Sequence, residues 1–329
     1  MANFLSDVVI KLREMVPVPS MNLGVPAIFV QGTTVGYAEF NDLEAINDDT
    51  TLSTAVKAKA TAIFNQTNTP PKVAVITFAT GAIATAATAY AGQDWHFGIL
   101  ATYVAADALA LSNWAELNSE KIIAIQVPAV EGLTPLANNE FTIGLVHPAA
   151  EHFDAALVAE AGSQVVGSLT WKAVHDLVGV TPQTFTEAQY TAIKTARGIV
   201  YVTKTGAPQS SEGWTLSGEF IDVVHGDQWM KVRLMGALQQ LITDENKVPF
   251  NPRGIALVQA TITEVLNEGY QNGVVGETEA GDPAFDVQTK QRSELNSEDI
   301  AKRIYKGASF TYQRSAAIHG MDVSGTIEF

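Results

Sequence analysis

The chain has 329 residues, 47% of them hydrophobic and 17% charged, with a net charge of −15 and no cysteine. That length and composition suit two domains, or one domain with a large insertion, and exclude disorder. The missing cysteines remove disulfides, thiolate nucleophiles and Cys-type zinc or iron–sulfur sites. The acidic balance makes nucleic acid a poor partner, although a local basic patch is compatible with it.

No apolar run reaches the roughly 18 to 20 residues that cross a bilayer, and the start lacks a basic segment followed by an apolar stretch. A soluble chain with no secretion signal and no membrane insertion is expected. Along residues 1–30, Pro17, Pro19, Gly24 and Pro26 are too closely spaced for a regular helix and follow the apolar stretch Val8-Val9-Ile10. They predict an extended arm leading into a strand at 27–30. Short apolar runs then alternate with helical patterns through 31–180. Strands are predicted at 73–78, 121–127 and 141–146, and helices at 103–117 and 153–161, while 168–174 reads equally as strand or helix. Alternation of this kind implies an α/β sheet with helical crossovers.

From 181 to 306 the signals sharpen. Thr186 and Gln189 form a capping box, with Phe185 and Tyr190 as its hydrophobic staple, opening a helix that runs to Arg197 before a strand at 199–203. The longest helical pattern covers 218–242, with Phe220, Val224, Met230, Leu234, Leu238 and Leu241 on one side and Gly226 and Gly236 weakening its interior. Asn251-Pro252 caps a second amphipathic helix carrying Ile255, Val258, Ile262, Val265 and Leu266, which Gly269 is expected to close. Acidic residues 276–283 read as a surface loop, and 307–329 turn strand-like again. There Met321, Val323, Ile327 and Phe329 share one face of a strand. That strand must pair with something, and a neighbouring subunit serves as readily as its own chain. No repeat of 20 to 50 residues is present. The fold class is mixed α/β (α+β): an N-terminal α/β domain at 31–180, a C-terminal core with two long helices on a sheet at 181–306, and extended arms at 1–30 and 307–329.

Reactive constellations are missing. There is no phosphate loop, dinucleotide fingerprint or nucleophile elbow, and the small-residue turn after Gly81 lacks a lysine and further glycines. His147 and His152 are five apart with Pro148 between them, which does not place two metal ligands on one helix face; a solvated turn is expected. Glu277, Glu279 and Asp282 lack the pattern of a calcium loop. His225 near Asp227 reads as a structural hydrogen-bond pair, and tryptophans 95, 114, 171, 214 and 229 lie too far apart to form a stacking platform. No catalytic, cofactor-binding or metal-ligating residue is therefore expected.

The stretch 218–231, followed by Asn246-Lys-Val-Pro-Phe-Asn-Pro-Arg-Gly-Ile-Ala256, resembles the carboxy-terminal domain of contractile tail sheath proteins of bacteriophages. Gly32-Thr-Thr-Val-Gly36 and the stretch from Arg314 to Phe329 extend the resemblance. It covers the last 145 residues or so well and the remainder in outline, and the chain is short for the family, so a minimal two-part subunit is implied. The resemblance implies a six-fold helical polymer of the chain with itself around a tail tube, in a virion tail assembled in host cytoplasm. Tube, baseplate and tail terminator proteins are the other implied partners. Val8, Val9, Ile10, Met321, Val323, Ile327 and Phe329 would supply donated strands. Pro17, Pro19, Gly24, Gly320 and Gly325 would be hinges, and Lys231 and Arg233 are candidates for tube contact. Contraction would draw its energy from new contacts between subunits, which agrees with the missing nucleotide motifs. Two other readings are an α/β nucleotide- or sugar-processing enzyme using residues 70–150 and another virion component such as a capsid or tube subunit. The two long helices count against a tube protein, which is usually smaller and mostly β.

Overall fold

A computed structural model describes residues 23–327. Val8, Val9, Ile10, Pro17, Pro19 and Phe329 lie outside the described residues.

The first two thirds of the chain build one sheet. Its strands are β1 (Pro26–Gln31), β2 (Gly36–Phe40), β3 (Val73–Phe78), β4 (Phe97–Leu100), β5 (Ile122–Val127) and β6 (Thr142–Val146), in the order β2-β3-β1-β4-β5-β6. All neighbours are parallel except β2 and β3. The crossovers carry α1 (Leu43–Asp48), α2 (Thr54–Phe64), α3 (Ile83–Ala89) and α4 (Ala105–Asn118), and α5 (Phe153–Gly162) follows β6. Because helices cover both faces, the parallel strands are apolar at nearly every position. Ile28, Val75 and Ile99 pack with Val56, Ile63, Phe153 and Leu157 from α2 and α5. Ala27, Phe29 and Ile76 point to the other face and meet Ile83, Leu111 and Trp114 from α3 and α4. Gly98 of β4 sits where a Cβ would come 2.7 Å from Ile123 Cδ1 and 3.2 Å from the Phe29 ring, so a side chain there would have to displace Ile123.

The strand expected at 27–30 is β1, but it lies in the middle of this sheet and so belongs to the body rather than to the 1–30 arm. The division expected at 180–181 also falls inside continuous packing. Helix α6 (Glu187–Thr195), opened by the expected capping box, sends Ile193 and the staple residues Phe185 and Tyr190 into the α3–α4 side of the core. Ile199 adds a parallel bridge to Leu145 on β6. The hairpin β7 (Tyr201–Lys204) and β8 (Ala207–Ser210) follows. Residues 168–174 are neither strand nor helix. They form an irregular segment that buries Trp171 against Phe97 and His225.

The remainder is built on α7 (Ile221–Asp244) and α8 (Pro252–Asn272), with β9 (Phe285–Thr289), α9 (Ser297–Ala301) and β10 (Ala308–Tyr312). The first turn of α7 belongs to the sheet core through Ile221 and Val224, while Trp229, Met230 and Leu234 join Ile262, Val265 and Leu266 of α8 in a separate cluster. Antiparallel β9 and β10 lean on that cluster through Phe285, Val287, Ala308 and Tyr312. Asn251 caps α8 by accepting from Gly254 N at 3.0 Å. Gly269 does not close α8. A Cβ there would lie 2.9 Å from Met230, so this glycine is a packing point, and left-handed Gly273 (φ 83°) ends the helix one turn later. Nor do all five tryptophans stand apart in space, since Trp95 and Trp114 stack at 5.9 Å inside the core.

Candidate assembly surfaces

Beyond β10 the chain is held at two points and then leaves the body. Asp227, on α7, accepts from Tyr312 Oη at 2.5 Å and from Arg314 Nε at 3.2 Å, and Arg314 also approaches Glu219 at 3.9 Å. Main-chain bonds from Gly276 N to Gln313 O (2.7 Å) and from Ser315 N to Val274 O (3.0 Å) continue the ladder. The second point is His319. Its Nε2 meets Thr170 Oγ1 at 2.7 Å, its ring sits edge-on against Phe220 at 4.7 Å, and Lys172 Nζ donates to its carbonyl at 2.9 Å. Beneath 314–317 lies a small cavity reached by Asp222, whose buried Oδ1 has no partner and whose carboxyl is pushed up by burial.

Past His319 the contacts cease. A Cβ at Gly320 or Gly325 would meet nothing within 4 Å, and residues 321–327 form no ladder with the described residues. Met321, Val323 and Ile327 are 84%, 85% and 83% exposed, an unusual state for three apolar side chains on one alternating segment. Gly24, at the other end, is buried beside Leu23, whose carbonyl takes the His225 Nε2 proton at 2.8 Å.

The sheet offers unequal edges. At β6, Val146 N donates to Ile199 O and Leu216 N to Thr142 O, so that edge is covered. Strand β2 is the opposite edge, with no further strand beyond it among the described residues. Short edges of this kind are where another chain can add main-chain bonds.

The chemical candidates are absorbed by structure. Residues 148–150 are the expected exposed turn before α5, but His147 at its start is buried, because its ring packs on Phe153; its Nε2 meets Glu151 at 2.7 Å, and Glu151 in turn accepts from Thr181. His225 does not pair with Asp227, whose oxygens are taken by Tyr312 and Arg314. Lys231 pairs with Glu120 at 3.3 Å, and Arg233 forks onto Glu268. A cleft at the carboxyl ends of β4, β5 and β6 is lined by Lys59, Tyr103, Gln126, His147 and Asp154. Lys59 donates to both oxygens of Asp154 at 2.5 and 2.6 Å, and Gln126 is engaged by the carbonyls of Pro148 and Glu151. Among the described residues no group of three His, Asp or Glu could hold a metal. The Asp227 and His319 anchors were not foreseen, since nothing local in the sequence signals a pair 87 residues apart.

Residues 221–324 match the family described as E217 tail sheath protein gp31-like, C-terminal domain. Across its whole length the chain is similar to the anti-feeding prophage (AFP) baseplate, 6-fold symmetrised, with TM-score 0.73, 11% identity and coverage of 98% of this chain and 99% of that one. It is similar to the AFP helical sheath in its contracted state at TM-score 0.68 and 12% identity, covering 99% of both chains. The sheath complex of the extracellular contractile injection system PVC, also contracted, gives the same score and identity over 99% of this chain and 98% of that one. No curated protein matches in sequence. The fold of the whole chain is therefore the mixed α/β fold found in those structures, and residues 221–324 are similar to a tail sheath C-terminal domain.

Proposed function

We propose that this chain is a structural subunit of a contractile tail sheath, in a bacteriophage tail or a phage-derived injection particle. Subunits would polymerise as six-fold helical rings around a tail tube by exchanging strands, and contraction would drive the tube through the host envelope. The observation that carries this reading is the segment after Gly320. Three exposed apolar side chains alternate along a stretch that has left its own body, and burying them in a neighbour's sheet edge removes roughly 1.5 to 3 kcal/mol of apolar exposure each. Main-chain ladders between subunits survive while compact bodies rotate, so a sheath can shorten without falling apart.

In this reading the donated residues are Met321, Val323, Ile327 and Phe329 at one end and Val8, Val9 and Ile10 at the other. Gly320 and Gly325, whose Cβ positions are open, are hinges alongside Pro17, Pro19 and Gly24. Lys231 and Arg233 would contact the tube only by sharing or exchanging their present partners Glu120 and Glu268. The domain scheme becomes an arm that ends before Pro26, a sheet body, a C-terminal core and a strand arm. Tube, baseplate and terminator proteins are the remaining partners, with no nucleic acid, cofactor or catalytic role, and assembly takes place in host cytoplasm.

Negative-stain electron microscopy of the full chain beside a variant truncated after Gly320 tests this. Rings or tubes from the full chain, lost on truncation, are expected. Assembly by both forms alike would overturn strand donation as its basis.

A further inference from the structure

The charges around α8 run against its dipole. A helix favours acidic residues at its amino end and basic ones at its carboxyl end, yet α8 has no acidic residue in its first turn and no basic one in its last. Arg253 stands in the first turn instead. Around it the α7–α8 turn and the 290–306 segment gather Lys247, Lys290, Arg292, Lys302, Arg303 and Lys306, all exposed. Phe250 packs on Tyr305, Arg292 reaches Phe250 O and Tyr305 reaches Lys290 O, so these segments form one end of the molecule. Seven cations there face five acids (Asp244, Glu245, Glu294, Glu298, Asp299), a balance of +2 in a chain of −15. Only Lys302 and Lys306 are in ion pairs.

The far end of the same helix is the reverse. Beyond Gly273, the loop leading into β9 carries Glu277, Glu279 and Asp282, and β9 itself carries Asp286, all exposed, with no cation between 276 and 286 and no ion pair. Twenty-one residues of helix hold the two ends about 30 Å apart. The basic end also frames an apolar groove lined by Val248, Pro249, Phe250, Ile255, Val258 and Tyr305, with Ile304 exposed at 47% beside it.

We propose that these are the two halves of a head-to-tail contact between copies of this chain, the acidic end of one docking on the basic, apolar-centred end of the next. The partner rests on the polymer reading above, which supplies a second copy at high local concentration. A contact joining unlike ends is heterologous, the type that generates rings or helical filaments rather than a closed dimer. Charges that run against their own helix's dipole, have no ion pair within the chain except at Lys302 and Lys306, and complement each other across about 30 Å suit such a contact.

Four full-length chains are compared by sedimentation velocity at 50 and 500 mM salt, with microscopy of the same samples: wild type, Arg253→Glu with Lys290→Glu, Glu277→Lys with Glu279→Lys, and all four substitutions together. Wild-type association should weaken about tenfold at high salt, each pair should lose about as much at low salt, and the four-fold chain should recover it. Thermal midpoints keep folding apart from association, because Arg253→Glu places an acid where α8 favours one and should not lower its own midpoint. Tubes or rings that form equally in every chain would leave the polymer reading standing and overturn this contact. Absence of any association would overturn both. Retardation of duplex DNA that depends on Arg253 and Lys290, with association unaffected, would assign the basic end to nucleic acid instead.

Discussion

The imidazole rings of His96 and His225 stack 5.0 Å apart, inclined by 21°, where the start of β4 meets α7. Both are fully buried, with Phe97 and Trp171 packed edge-on or tilted around them. His225 gives its Nε2 proton to Leu23 O, while His96 Nε2 has no partner. Burial holds His225 down at about 4 and His96 well below its ordinary value, the latter helped by His225 and by nearby Lys121. Histidines buried neutral take up protons on unfolding, so the stability they permit is present above about pH 6.5 and is lost as pH falls toward 4. For His225 alone the loss between pH 7 and 5 is about 2 kcal/mol. Urea midpoints across that range should fall, and His225→Gln should flatten the slope even while lowering stability overall. An unchanged slope would show that these rings do not govern the acid limb.

Gly167 and Gly273 lie back to back, both left-handed at φ 92° and 83°. A Cβ on Gly273 would come 2.7 Å from Gly167 O. Gly273→Ala is expected to cost about 2 to 4 kcal/mol, from strain of about 1 to 2 plus forced separation of the two backbones. Gly281 is the control, with φ 85° but open space around its Cβ, so Gly281→Ala should show the strain alone. Equal thermal shifts for the two variants would mean that the close approach contributes nothing.

What could be read locally in advance was what short-range physics specifies. The Thr186 capping box, the Asn251-Pro252 start of α8 and the aliphatic run of β3 each announce themselves within a few residues, because caps and periodicity are local devices. Positions set by distant neighbours were not legible. Gly269 looks like a helix terminator until Met230 is placed against it, and the strand expected at 27–30 does not show itself as the middle of a sheet until β3 and β4 flank it. The burial of His147 is illegible for the same reason, since it depends on Phe153 and on Glu151 being fixed by Thr181. The candidate assembly surface was half visible. Alternation at 321–327 could be seen, while the anchors that release the chain only after His319 could not.

Lys59 and Asp154 join α2 to α5 beneath the sheet, with side chains 7% and 2% exposed. Removing one partner strands the other charge in the interior, so Asp154→Ala should destabilise by about 3 to 5 kcal/mol. That carboxylate also accepts from Ala155 N, which adds to the loss. Replacing both residues, as Lys59→Met with Asp154→Leu, removes the desolvation problem with the attraction and should recover most of the difference. A double variant no more stable than Asp154→Ala would show that the pair is held by its hydrogen bonds rather than by charge neutralisation.

Asp227 is the first of the two anchors that hold the C-terminal segment before it leaves the body after His319. Its carboxylate collects Tyr312 and Arg314, both partly open to solvent, so each bond adds little to global stability; Asp227→Ala should lower it by about 1 to 2 kcal/mol. The local effect should be larger. With Asp227 gone, 312–319 is kept in place chiefly by three ladder bonds and the His319 contacts, and local opening then precedes global unfolding. Proteolysis after Arg314 should accelerate several-fold in Asp227→Ala while cleavage in α7 and α8 does not, and Asp227→Glu should restore part of the protection. If segments 221–272 and 312–319 become susceptible together, the carboxylate is a general support of α7 and the point of departure lies elsewhere.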